Sequence, residues 1–189
     1  MKYHSGLGKQ YIQDYESIER FETKNILAFY NDITDLNIPN EAEFCDVIYT
    51  EIAWKIGLKK FNDRAEKNTQ FNDYCNAVSY YINTINKPTV IIAGVNDKKW
   101  LPEPKQTIKT QLNKGNVIAY VYNCNVFKHK NTLGILNELS KRYQCCYDFC
   151  CGYGNTAIPF LNNGKKAILS DYNKKCIGYI KQLYTNENL

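Results

Sequence analysis

The chain has 189 residues, 44% of them hydrophobic and 23% charged, which is enough for one domain with a packed core and excludes global disorder. A formal net charge of +5 suits an anionic partner such as nucleic acid without demanding one. Neither an apolar run long enough to span a membrane nor an apolar leader at the N-terminus occurs, so the expectation is a cytoplasmic protein with no membrane partner.

Tyr11, Tyr15 and Ile18 recur at helical spacing and predict an amphipathic helix over 9–22, an N-terminal helical extension within residues 1–22. Strands are expected at Ile26–Tyr30 and Asp46–Thr50, the second followed by a helical stripe of Trp54, Leu58, Phe61 and Ala65. A further helix is predicted from Phe71 to Ile85, then a buried strand Val90–Gly94 and a polar loop from Asp97 to Lys105. A short helix and the strand Val117–Tyr122 follow, then a helix carrying Leu133, Leu136, Leu139 and Tyr143. Cys145–Phe149 reads as a strand, 155–163 as a helix with Gly164 as its C-cap, Ala167–Ser170 as a strand, and Asn173 opens the last helix. Strands alternating with helices predict one three-layer α/β domain, with a mostly parallel sheet and helices on both faces.

Of the eight cysteines, four form adjacent pairs, Cys145-Cys146 and Cys150-Cys151. With only His4 and His129 for company and no paired C-x-x-C, they read as buried small hydrophobes rather than zinc ligands; no metal is expected.

The sharpest chemical signal is a strand running into Asp148-Phe149-Cys150-Cys151-Gly152-Tyr153-Gly154-Asn155-Thr156 and then into a helix. Glycines remove the Cβ atoms that keep a backbone away from a ligand, and helix N-terminal amides favour a carboxylate or phosphate. Roughly twenty residues on, a second strand ends at Asp171, where an acid can accept ribose hydroxyls. A structural turn and an NAD site are the competing readings, although Ala157 stands where the dinucleotide fingerprint would carry a third glycine.

Asp148 to Gly154 resembles the D-P-F-C-G-S-G loop of DNA amino-methyltransferases, and Lys165 to Asn173 resembles the G-R-x-x-I-G-I-D-I-N segment that follows it. Asn31-Asp32 and then Asp46 to Trp54 are similar to the G-D…D-x-I-x-x-D-P-P-Y/W order of the permuted, beta-type branch, in which the catalytic motif precedes the cofactor loop. Lys128 to Thr132, with His129 as a surface residue, resembles the branch's H-x-T-x-K-P segment.

The resemblance implies a methyltransferase sheet of seven strands or one fewer, beginning near the third strand of the usual order and ending after the second. It implies S-adenosylmethionine as cofactor, bound by Asp32, Asp148, Cys150, Gly152, Gly154, Asn155 and Asp171. Glu51 aligns with the acceptor of the amine and Trp54 with the ring that stacks on a flipped base. Adenine N6 of DNA is the implied target ahead of RNA; homodimerisation and a phage or mobile-element source are further expectations. The motif departs from the family's pattern, with Ile52 and Ala53 for both prolines and Glu51 for aspartate. An inactive cofactor- or nucleic-acid-binding relative and a different nucleobase modification therefore remain open. Only residues 55–88 and 97–114 are available for target recognition. Lys55, Lys59, Lys60, Arg64 and Lys67 offer either a phosphate path or a solvated helix face.

Overall fold

A computed structural model describes residues 14–53, 55–94, 97–113 and 115–185. The strands are β1 (Arg20–Glu22), β2 (Ile26–Tyr30), β3 (Val47–Glu51), β4 (Thr89–Ala93), β5 (Gln106–Leu112), β6 (Gly115–Tyr122), β7 (Cys145–Asp148) and β8 (Lys166–Asp171). The helices are α1 (Lys55–Ala65), α2 (Phe71–Ile85), α3 (Thr132–Arg142), α4 (Ala157–Asn162) and α5 (Lys174–Thr185). All eight strands share one sheet in the order β1-β2-β8-β7-β3-β4-β6-β5. The five central strands, β2, β8, β7, β3 and β4, pair in parallel, and both edges are antiparallel.

Strands covered on both faces bury consecutive residues, which is why the cores of VIYTE, TVIIA and KAILSD are near-continuous apolar runs with polar residues at their ends. Their residues divide by alternation. Val47, Tyr49, Val90 and Ile92 enter one layer with Ile135 and Leu139 of α3, Phe160 of α4, and Ile177 and Ile180 of α5. Ile48, Ile91, Tyr147 and Ile168 enter the other with Leu58 of α1 and Ala77, Val78, Tyr81 and Ile82 of α2. This is the predicted three-layer architecture.

Local chemistry sets the ends of the helices. The Asn131 side chain caps α3 by accepting from Gly134 N–H at 3.0 Å, and Lys141 and Arg142 occupy its negative end. Gly164, at φ +68°, closes the turn after α4 as expected.

Three expectations are corrected. The helix expected over 9–22 lies partly outside the described residues, and within them Arg20–Glu22 is a strand whose Phe21 pairs with Ala28. Thr23 Oγ1 accepts the N–H groups of Asn25 and Ile26, making a tight turn that folds this segment back on β2. The short helix expected before Val117 is strand β5, the partner of β6 in an antiparallel hairpin. Among the described residues the sheet consequently has eight strands rather than seven or fewer. Gln106–Leu112 is sheet edge, so this part of 97–114 is not a free insertion. No helix among the described residues is long and apolar enough to cross a membrane.

Candidate active site

The chain leaves β7 toward β8 on one side of the sheet, while β3 leads to β4 on the other. The β7–β3 boundary is thus a topological switch point, where parallel strands open a crevice at their carboxyl ends. A cleft of about 550 Å³, counting its open mouth, lies there. The ends of four strands reach it: Asn31 and Asp32 after β2, Glu51 and Ala53 at β3, Phe149, Cys150 and Gly152 after β7, and Asp171 and Tyr172 at β8. Leu58 and Phe61 of α1, Thr69 and Tyr74 complete it.

Gly152 sits at φ +49°, and a Cβ built there meets no atom within 4 Å. The bare backbone therefore faces open space, in a conformation that side chains resist. Its N–H donates to Asp171 Oδ2 at 2.8 Å, and Asn173 N–H donates to Asp171 Oδ1 at 2.9 Å. Asp171 thereby ties the loop after β7 to the end of β8. Burial pushes its carboxyl up to about 6, and those two N–H groups oppose the rise.

Asp148 lies beneath the loop and does not line the cleft. It is 2% exposed; Thr50 Oγ1 donates to it at 2.7 Å, Cys150 N–H at 3.1 Å and Thr156 Oγ1 at 2.5 Å. Burial raises it to about 6 against these donors. It holds the loop's shape from below and clamps β7 to β3 through Thr50. Gly154 also faces inward: at φ +72°, its Cβ would come 3.1 Å from Ile180 Cγ1, so the residue lets α5 approach. Asn155 does not line the cleft. Of the expected cofactor residues, Asp32, Cys150, Gly152 and Asp171 converge on it.

Asp32 caps the 3-10 turn Ile33–Asp35, accepting Thr34 N–H at 3.1 Å and Thr34 Oγ1 at 2.7 Å. Its other oxygen pairs with Lys67 Nζ at 3.2 Å, and Lys67 also donates to the Tyr30 hydroxyl at 3.1 Å. One member of the basic run is thus held by an ion pair and a hydrogen bond at the surface, and Lys59 and Lys60 are also exposed.

Glu51 is half-buried at the cleft wall and accepts from the Tyr49 hydroxyl at 2.9 Å. Desolvation pushes its carboxyl up to about 7; the Tyr49 hydrogen bond opposes this and the neighbouring Asp148 adds to it. Such a group shares its time between accepting and donating near neutrality. Trp54 lies outside the described residues. His129 meets Glu138 at 2.8 Å, away from the cleft, as its surface reading implied. Sequence reasoning missed Tyr172, Phe149 and Tyr74. Tyr172 and Phe149 follow the two strand-end aspartates directly, a position that signals the cleft, whereas nothing local marks Tyr74.

No protein-family model matches the sequence, and no curated protein matches it. Solved structures do. The M1.HpyAVI–SAM complex superposes with a TM-score of 0.50 at 12% identity, over 83% of this chain and 98% of that one. A second structure of M1.HpyAVI gives 0.53 at 14%, over 84% and 98%. TTHA0409 of Thermus thermophilus, described as a putative DNA modification methylase, gives 0.53 at 9%, over 86% and 95%. The chain has the methyltransferase fold. Within that fold the cleft lies where a doubly wound sheet binds its ligand. The matches take in 95–98% of each neighbour and 83–86% of this chain.

Proposed function

We propose that the chain is an S-adenosylmethionine-dependent DNA methyltransferase acting on the exocyclic N6 amine of adenine, built on a circularly permuted chain. The observation that supports this best is the convergence of Gly152, Asp171 and Glu51 on one cleft at the switch point, from loops far apart in sequence. The strand order supports the permutation: β7, with its glycine loop, is seventh in the chain yet central in the sheet, with β8 and β2 on one side and β3 and β4 on the other.

The residues fit the cofactor. Gly152 presents backbone with room above it. Each carboxylate oxygen has two lone pairs, so Asp171 keeps acceptor capacity for ribose hydroxyls after serving Gly152 and Asn173. Asp32, on the same wall, can accept the cofactor's adenine amine as its bond to Lys67 loosens. S-adenosylmethionine, when bound, supplies a methyl group already activated on a sulfonium. The chain's own work is then orientation and electrostatics. Glu51 accepts an N–H of the target amine and directs its lone pair, and Trp54 stacks on the flipped base, a contact worth about 1–3 kcal/mol in comparable sites.

Incubation with methyl-labelled S-adenosylmethionine and unmodified AT-rich DNA tests this. Label should enter adenine, and Trp54→Ala should lower its rate of entry about five- to hundredfold; absence of label from every nucleic acid offered overturns the reading. A second reading, cofactor binding without transfer, is favoured by the burial that holds Glu51 partly protonated and so weakens it as an acceptor. It predicts calorimetric binding of S-adenosylmethionine with no labelled product.

A further inference from the structure

Strand β3 leaves the sheet at Glu51. Its last bond to β4 runs from Ile52 N–H to the Ile92 carbonyl at 3.1 Å. The next amide, Ala53 N–H, donates instead to the hydroxyl oxygen of Tyr74 at 2.9 Å. Tyr74 stands in the first turn of α2, is 7% exposed, and turns its ring to the cleft. Its hydroxyl also meets Cys150 Sγ at 3.4 Å, so a single hydrogen lies between oxygen and sulfur. Burial raises both the phenol and the thiol well above their ordinary values, which keeps both neutral.

Ile52 and Ala53 have no ring to fix φ, and Ala53 brings an N–H that needs a partner. Without one, the turn carrying Glu51 would be free to move as it leaves the sheet. We propose that Tyr74 is the positioning residue of this turn. It fastens the Glu51–Ala53 segment to the Cys150 side of the cofactor loop, and so sets the distance between the two walls of the cleft. The catalytic part of this inference rests on the role proposed above for Glu51; the tether itself does not.

Three measurements on the full chain test it. In the unaltered protein the Ala53 amide should be protected from hydrogen exchange. An unprotected amide overturns the tether whatever the variants do. Tyr74→Phe keeps the ring and removes the acceptor, so exchange at Ala53 should quicken about tenfold or more while the melting transition stays cooperative; unchanged exchange overturns the tether. In methyl transfer, Tyr74→Phe should lower kcat about tenfold, equivalent to about 1.4 kcal/mol, with the KM for S-adenosylmethionine nearly unchanged. Adding Ala53→Pro deletes the orphaned N–H and restores a fixed φ, so the double variant should recover much of that rate. A rise in KM alone, or a double variant no faster than Tyr74→Phe, shows that Tyr74 does not act through the Ala53 turn. If the unaltered chain transfers no methyl group, the proposed activity and the catalytic part fall together. The exchange result is then still read on its own, so the two failures are told apart.

Discussion

Asp171 has two backbone donors on its carboxylate before any ligand arrives, which makes it part of the loop's architecture as well as of the proposed site. Its removal should act twice. Asp171→Ala leaves the N–H groups of Gly152 and Asn173 without acceptors, each at about 1–3 kcal/mol. The melting temperature should therefore fall, and affinity for S-adenosylmethionine should drop at least tenfold by calorimetry. Loss of stability with unchanged affinity would confine Asp171 to architecture. Glu51 makes a prediction in pH. Its carboxyl lies at about 7 in the fold against an ordinary 4.5, and Asp148 and Asp171 lie at about 6 against 3.8. A raised acid binds protons more tightly when folded. The stability it contributes is full below its unfolded value and is lost as pH rises through the folded one. Melting temperature should thus decline from about pH 4 to about pH 8, and Glu51→Gln should flatten the upper part of that decline. Methyl transfer should run the other way, rising through about pH 7 as Glu51 ionises and becomes an acceptor, and Glu51→Gln should remove that rise.

The elements show where close backbone approach is required. In α5, a Cβ at Gly178 would fall 1.9 Å from the carbonyl oxygen of Glu16. The N-terminal segment crosses the helix there, with Ile18 N–H reaching the Lys174 carbonyl and Tyr15 edge-on to Tyr179 at 5.0 Å. Gly178→Ala should displace this segment rather than unfold the domain, costing about 1–3 kcal/mol, with hydrogen exchange rising at 15–18 and not in β7 or β8. The same docking accounts for the departure from the helix expected here. The spacing of Tyr15 and Ile18 satisfies a helix, but docking on α5 and pairing of Phe21 with Ala28 override the local preference. β5 eluded its pattern for a different reason. It is an edge strand on which only Ile108 and Thr110 are buried, so alternation is carried by two residues, one of them polar. The central strands were legible because burial on both faces leaves a run of apolar residues that little else produces. The cleft was legible at Gly152, where a positive φ favours glycine, and at Asp171, whose carboxylate gathers two loop amides. It was not legible at Tyr74, whose role depends on an amide twenty-one positions earlier that only the fold brings near.

At the scale of the whole molecule, chain order and sheet order disagree. β2 and β3 are neighbours in sequence among the parallel strands, yet β8 and β7 lie between them. The N-terminal part cannot close its own sheet, so a chain ending at Arg142 should show no cooperative thermal transition, whereas the full chain should melt as one unit. A sharp transition in the shortened chain would contradict this order of assembly. The cysteines add a last consequence. All eight are free thiols, and all but Cys150 are buried. They are shared between the two sides of the sheet: Cys124, Cys146 and Cys151 belong to the layer of α3, α4 and α5, and Cys45 and Cys145 to the layer of α2. Each of these five is therefore a timer sealed into a known wall of the protein. An alkylating reagent added in brief pulses during unfolding, with the adducts assigned by mass, would record which wall of the sheet admits solvent first.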